Sequence, residues 1–327
     1  MRRLLVIAIA VALFAWIAYP LLGLAVEPPR EEKPLKLLFH TSPEATFPQA
    51  PLWAAVNSGR LGRQVCIETR PWKNLDDLRG AVLAGQGDIW LGSTEVFARS
   101  AALGAPVTLL AVTGWRKFYL LSRNPKVQGF QDLAGRTLPY APRGAPSATI
   151  IESLRKYGLG PIDLLPQEPA PLALMFLKGK YDTVLLPEPL VTSLLDKDSK
   201  IRVVAGLAEE YGRRTDQAPR LPLAGLAVNT ETLKNRPALV NMLSEAIVIE
   251  GRNLAKHPDE ALNALPAMVF DVLPKDLVKR SMIRDLVLAE PAWAVENEIG
   301  RFLNLLDPAL AEPGGRLRLP GSFIWRP

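Results

Sequence analysis

Short apolar runs alternate with amphipathic, helix-like stretches along most of this chain. LKLLFH (35–40), QVCIETR (64–70), GDIWLG (87–92) and PVTLLAV (106–112) read as strands. Between them, residues 51–56 read as a short helix stopped by Asn57, Ser58 and Gly59. Asn74 can cap a second helix that sets Leu75, Leu78, Val82 and Leu83 on one side, with Asp76 and Asp77 in the first turn where the helix dipole favours acids. Ser93 or Thr94 opens a third, running to Ala102. A second series follows: extended residues 117–123, a strand over 136–140, and a helix after Gly144-Ala145-Pro146-Ser147 that aligns Ile150, Ile151, Leu154 and Tyr157 and stops at Gly158 and Gly160. It continues through 163–167, a helix around 172–177, strands over 182–187 and 201–206, and a helix over 189–195 between those strands. Residues 211–220 read as a loop and 221–228 as extended; 236–256, 258–265, 273–288 and 291–306 read as helices. Residues 312–327, rich in Gly, Pro and Arg, read as an irregular tail. This alternation predicts an α/β protein in which each sheet is mostly parallel and flanked by helices.

The first residues break the pattern. Arg2 and Arg3 precede an uncharged run over residues 4–26 that is interrupted by Tyr19-Pro20 and ends in Gly23-Leu24-Ala25. A basic start, an apolar middle and small residues two apart describe an export signal cleaved after Ala25. The run also reaches the roughly 20 residues that span a bilayer, so an uncleaved anchor is the alternative. Either way the body of the protein is expected outside the cytoplasm, after a Pro-rich linker over 26–34. At 327 residues, with 48% hydrophobic and 22% charged positions, the chain is long enough for two globular units. Cys66 is the single cysteine, so no internal disulfide is possible, and none stands at the end of the signal for lipid attachment. The net charge of +6 is mild, and two of its cations would leave with a cleaved signal. It lacks the clusters of a nucleic-acid footprint but favours a small anion over a cation.

Several segments, in order, resemble the solute-binding proteins of ABC transporters, in the nitrate, sulfonate, taurine and pyrimidine-precursor group. APLWAAVNSGRLG is similar to that family's early helix, GDIWLGSTEVFA to its Gly-x-x-Asp strand and turn, and GAPV (104–107) to its next strand entry. FQDLAGRTLPYAPRGAPSATIIESLRKYGL is similar to the opening of its second lobe, KGKYDTVLLPEPL to its later Gly-x-x-Asp-Ala strand ending in Glu-Pro, and KHPDEAL to its Asn-Pro-Asp-Glu-Ala helix. Arg136, Ala145 and His257 depart from the usual Lys, Ser and Asn. The resemblance runs from about residue 37 to about residue 290. It implies a two-lobed clamshell of the type II periplasmic binding fold, with lobe 1 from 35–121 plus 223–311, lobe 2 from 122–222, and two crossing strands as the hinge. Ligand would sit between the lobes, at strand ends where helix N-termini converge.

Helix N-termini present unpaired N–H groups and partial positive charge, so an anion there gains hydrogen bonds and dipole energy together. Gly92-Ser93-Thr94 and Gly144-Ala145-Pro146-Ser147-Ala148-Thr149 each set small or hydroxyl residues at such an end. Ser93, Thr94, Ser147, Ala148 and Thr149 are therefore candidate ligand-binding residues; the alternative is that the hydroxyls only cap their helices. Arg143, beside the second turn, can close bidentately on a sulfonate or carboxylate or stay a solvated loop arginine. Glu188, after an apolar strand, can receive a ligand amine or a donor from the hinge. His40 and Trp115 end strands where cleft side chains would sit, with packing as the alternative.

Enzyme readings find little. The two histidines, His40 and His257, are far apart, and no HExxH, GxSxG, GxGxxG or Walker pattern occurs. Ser153 to Lys156 matches SxxK without SDN or KTG to follow. One cysteine does not support the pyrimidine-synthase chemistry known on this fold, and no ligand cluster suggests a metal. The expectation is a non-enzymatic, cofactor-free binding protein that hands a small organic anion to a membrane permease. The alternatives are a membrane-tethered sensor or scaffold on the same fold, or a transporter component for pyrimidine or thiamine precursors.

Overall fold

A computed structural model describes residues 34–61, 65–282 and 284–327. The expected signal or anchor, and the linker up to residue 33, lie outside the described residues. The chain opens with β1 (Leu35–Thr41), α1 (Thr46–Asn57), β2 (Val65–Pro71), α2 (Leu75–Leu83), β3 (Ile89–Ser93), α3 (Thr94–Ala102) and β4 (Val107–Gly114). β3 and β4 are buried at every residue, as continuous apolar runs require, whereas β2 at the sheet edge alternates. Asn74 caps α2 as its position predicts, its side chain accepting from the Asp76 and Asp77 amides.

The chain then crosses to a second sheet built from β5 (Phe118–Ser122), β6 (Thr137–Tyr140), α4 (Ser147–Leu154), β7 (Asp163–Pro166), α5 (Pro169–Leu177), β8 (Thr183–Pro187), α6 (Leu190–Lys197), β9 (Arg202–Gly206) and α7 (Leu207–Thr215). It returns through β10 (Ala224–Asn229), α8 (Thr230–Asn235), α9 (Pro237–Lys256), α10 (Pro258–Ala264), α11 (Ala267–Phe270), α12 (Lys275–Ser281), β11 (Val287–Pro291) and α13 (Glu296–Leu306). The first sheet has the order β11-β4-β10-β3-β1-β2, and the second β7-β6-β8-β5-β9. β1 and β3 are parallel, as are β6 with β7 and β8; β10 and β5, the strands that follow each crossing, lie antiparallel to both of their neighbours. Two α/β lobes result, each a mixed sheet flanked by helices.

The crossing falls at residues 115–117, earlier than the boundary at 121–122 implied by the resemblance, because Phe118–Ser122 pairs along its length with β8 and β9. The two crossing segments are bonded to each other: Leu221 N donates to Trp115 O at 3.0 Å, Leu223 N to Gly114 O at 2.9 Å, and Arg116 Nε to Pro219 O at 3.2 Å. One buried hydrophobic cluster runs from α3 and β4 of the first lobe through α13 to α4 and α7 of the second.

Four local expectations are corrected. Residues 207–215 form a helix where 211–220 reads as loop, because Leu207, Ala208 and Tyr211 bury one face and Glu210 pairs with Arg213 and Arg214 one turn on. Val287–Pro291 is a strand where 273–288 reads as helix; Gly251 of α9 lies so close to Ala289 that a Cβ there would overlap it, which holds the segment flat against β4. Tyr157 is exposed, because the chain tightens to a 3-10 turn after Leu154 and Gly158 ends it in the left-handed region. Residues 312–327 have no long element but are anchored: Leu109 N donates to Phe323 O at 2.7 Å and Trp325 N to Leu109 O at 3.0 Å, burying Phe323 and Ile324 beside β4. Among the described residues no helix is long and apolar enough to cross a membrane.

Candidate functional site

The first predicted turn joins β3 to α3 at the carboxyl edge of the first sheet. Ser93 is extended and stands at the N-cap, yet its hydroxyl makes no cap hydrogen bond. The hydroxyls of Ser93 and Thr94 are both buried and have no partner among the described residues. Thr94 N donates to Leu223 O at 3.1 Å, and Ser93 pairs with Ala224, which fixes this turn beside the returning crossing segment. Gly92 answers to packing instead: a Cβ there would collide with Leu78 of α2.

The second predicted turn lies between β6 and α4 in the other lobe. Gly144 takes φ +77°, a conformation glycine adopts without strain, and Ala145 N closes the turn on Pro142 O at 3.2 Å. Ser147 opens α4 with its side chain fully buried and its hydroxyl again without a partner among the described residues. Ala148 and Thr149 follow, half-buried, on the first turn of the helix. Each lobe thus brings a helix N-terminus with unpartnered buried hydroxyl to the carboxyl side of a strand, two hydroxyls in the first lobe and one in the second. Such a hydroxyl costs on the order of 1–3 kcal/mol unless something satisfies it.

Of the other predicted residues only His40 shares this character, its buried Nε2 having no partner among the described residues. Arg143 is exposed; its amide donates to Gln167 O at 3.1 Å, and its guanidinium makes no hydrogen bond among the described residues. That cation nevertheless opposes the upward shift that burial imposes on the Tyr140 phenol. Trp115 packs in the first crossing segment: its ring is wholly buried, its Nε1 donates to Leu288 O at 3.0 Å, and the Arg220 guanidinium stacks on it at 4.4 Å. His40 packs its ring against Gly87, which is held at φ +102°. Burial, then the charge of Arg70, lowers the His40 pKa, so the ring stays neutral near pH 7.

Glu188 is buried with both carboxylate oxygens engaged. Thr192 N donates to Oε2 at 3.1 Å, Thr192 Oγ1 to Oε1 at 2.9 Å, and Arg284 Nη1 to Oε1 at 3.2 Å. Burial raises its pKa, and the Thr192 and Arg284 donors oppose the rise. Arg284 lies between α12 and β11 of the first lobe, so this carboxylate contacts the opposite lobe directly.

Sequence reasoning passed over the end of β1. There Gln49, wholly buried on α1, accepts from Thr41 Oγ1 at 3.2 Å and Trp53 Nε1 at 2.9 Å and donates to Ser42 O at 3.1 Å. It also passed over Thr113, a bulged position between the Gly114–Ala224 and Val112–Gly225 pairs whose buried hydroxyl has no partner among the described residues. Bulges commonly re-aim side chains beside sites. The Thr-Ser pair at a strand end was the available signal for the first; a bulge leaves none in sequence. Among the described residues no group of three or more His, Cys, Asp or Glu could hold a metal ion.

No protein-family model and no curated protein matches this chain. Solved structures do. A protein described as an ABC transporter from Parabacteroides distasonis superposes with a TM-score of 0.67 at 16% identity, covering 90% of this chain and 100% of the other. The periplasmic aliphatic sulphonate-binding protein SsuA of Escherichia coli gives 0.64 at 15%, covering 91% and 93%. The alkanesulfonate-binding protein SsuA of Xanthomonas axonopodis pv. citri, bound to MOPS, gives 0.62 at 16%, covering 90% and 100%. The chain therefore has the two-lobed periplasmic-binding-protein fold. Proteins sharing that fold include binding components of ABC importers, sulfonate-binding ones among them.

Proposed function

We propose that this chain is an extracytoplasmic solute-binding protein of an ABC importer, which captures a small organic anion of the sulfonate or nitrate type between its lobes and delivers it to a permease without catalysis. The observation that carries the reading is the set of buried, unpartnered hydroxyls of Ser93, Thr94 and Ser147 at the N-termini of α3 and α4, one helix from each lobe. Hydroxyl donors and free helix amides suit an anion's oxygens, and the positive helix ends supply charge without a desolvated arginine. Arg143 is the cation placed to cover the anion on closure. The N-terminal basic and apolar pattern fits export, by a cleaved signal or a retained anchor.

The test is a thermal-shift screen against small sulfonates, nitrate, dicarboxylates and aminopyrimidines. A ligand at about 100 times its dissociation constant adds about 2.7 kcal/mol to the native state, a rise of several degrees in a chain of this size. The expected result is a response to sulfonates or nitrate. A well-folded protein that responds to neither contradicts the reading, and one that responds only to aminopyrimidines replaces it with precursor binding.

A further inference from the structure

The lobes touch at two seams of opposite chemistry. On one, α4 packs against α13: Ile150, Ile151 and Leu154 share a buried cluster with Ile299, Phe302 and Leu303, and Ser153 Oγ donates to Leu305 O at 2.7 Å. The adjoining crossing segment is tied to the same helix by the bidentate Arg220–Glu298 pair at 2.9 and 2.5 Å. On the other seam the contacts are polar and repeat with one helical turn. Glu188, Thr192 and Asp196 lie four residues apart on and just before α6, and Arg284 and Arg280 lie four apart on and just after α12. Arg284 Nη1 donates to Glu188 at 3.2 Å and to Thr192 Oγ1 at 3.1 Å, and Arg280 Nη2 to Asp196 at 2.5 Å. The Tyr119 hydroxyl donates to the Arg284 carbonyl at the inner end of the row.

Parting an apolar seam exposes buried hydrocarbon to water, whereas in the polar seam the Arg280 and Asp196 side chains are each 43% exposed and Arg284 26%, so drawing the arginines away from α6 exchanges one set of hydrogen bonds for another, while buried Glu188 keeps its two Thr192 donors. We propose that the α6–α12 row is a polar zipper that separates when the lobes open, while the α4–α13 seam stays closed and serves with the crossing segments as the pivot. Arg280 and Arg284 then set the balance between open and closed forms, and Glu188 acts as the zipper's fixed inner tooth. This rests on the reading that the protein works by lobe closure, but its test needs no ligand.

Hydrogen exchange of the full chain, followed by mass spectrometry, tests it with Arg280→Asp, which sets an acid against Asp196 and Asp276 at an exposed position. Exchange is expected to become several-fold faster over residues 188–197 and 280–287 and to stay unchanged over 147–154 and 296–306. The swapped pair Arg280→Asp with Asp196→Arg is expected to restore the parent's protection. Equal acceleration at both seams, no acceleration at either, or failure of the swap to reverse it overturns the zipper. Failure of the anion screen leaves this result standing, and the converse also holds, so the two ideas fail separately.

Discussion

A serine at a helix N-terminus ordinarily accepts a hydrogen bond from the first turn, and losing that bond costs about 1 kcal/mol. Ser93, Thr94 and Ser147 stand at such positions with buried hydroxyls that take no partner among the described residues. Removing a buried polar group that has no partner loses nothing and relieves a desolvation cost. Thr94→Val and Ser147→Ala are therefore expected to leave the unfolding temperature unchanged or raise it. A drop corresponding to about 1 kcal/mol in thermal unfolding would mean that the hydroxyls are caps after all. These turns were legible because small and hydroxyl residues directly precede an apolar pattern of helical period. The surroundings of Trp115 and His40 were not. A strand-end position does not say which way a side chain faces, and their deciding neighbours, Arg220 with Leu288 and Gly87, come from other segments. Glu188 was legible as the residue that follows an apolar strand, but its partner Arg284 sits in a stretch that reads as helix.

At the scale of elements, those whose signals are local were found where the sequence put them. α2 has its cap, its acidic first turn and its apolar face all in nine consecutive residues and the one before. Asn74→Ala is expected to destabilise the protein by about 1 kcal/mol, with the loss of exchange protection confined to the start of α2 in hydrogen-exchange measurements. β11 and α7 depend on the rest of the molecule. β11 is held extended by the close approach of Gly251 and by the edge of β4, and no pattern in 287–291 competes with the helical reading of the residues before it. α7 carries a Gly and two arginines in its second half, and it becomes a helix because Glu210 binds both arginines and Tyr211 is buried. The tail likewise shows no period, yet it finds a place along β4.

At the scale of the molecule, alternation along the chain pointed to α/β architecture and the family resemblance implied two lobes with crossing strands, while the contacts that set their mutual position were hidden. One of these has a pH signature. Burial pushes the Asp285 carboxyl from its ordinary 3.8 up to about 7, with Glu188 adding to the rise and Lys117 opposing it. Between those values the folded chain holds a proton that the unfolded chain has released. Stability from this group is therefore complete below about pH 4 and is lost as pH rises toward 7. The expected outcome is that Asp285→Asn flattens the fall of unfolding temperature between pH 4 and 7 relative to the parent; identical profiles would show that the carboxyl is not held protonated.

The central claim is that paired helix N-termini, one from each lobe, hold an anion. Calorimetric titration of a small alkanesulfonate into the parent and into the Thr94→Val, Ser147→Ala double variant tests it most directly. The account predicts saturable binding to the parent and loss of most of that affinity in a variant that remains equally stable. Equal affinity in both proteins, or no binding to the parent, would contradict it.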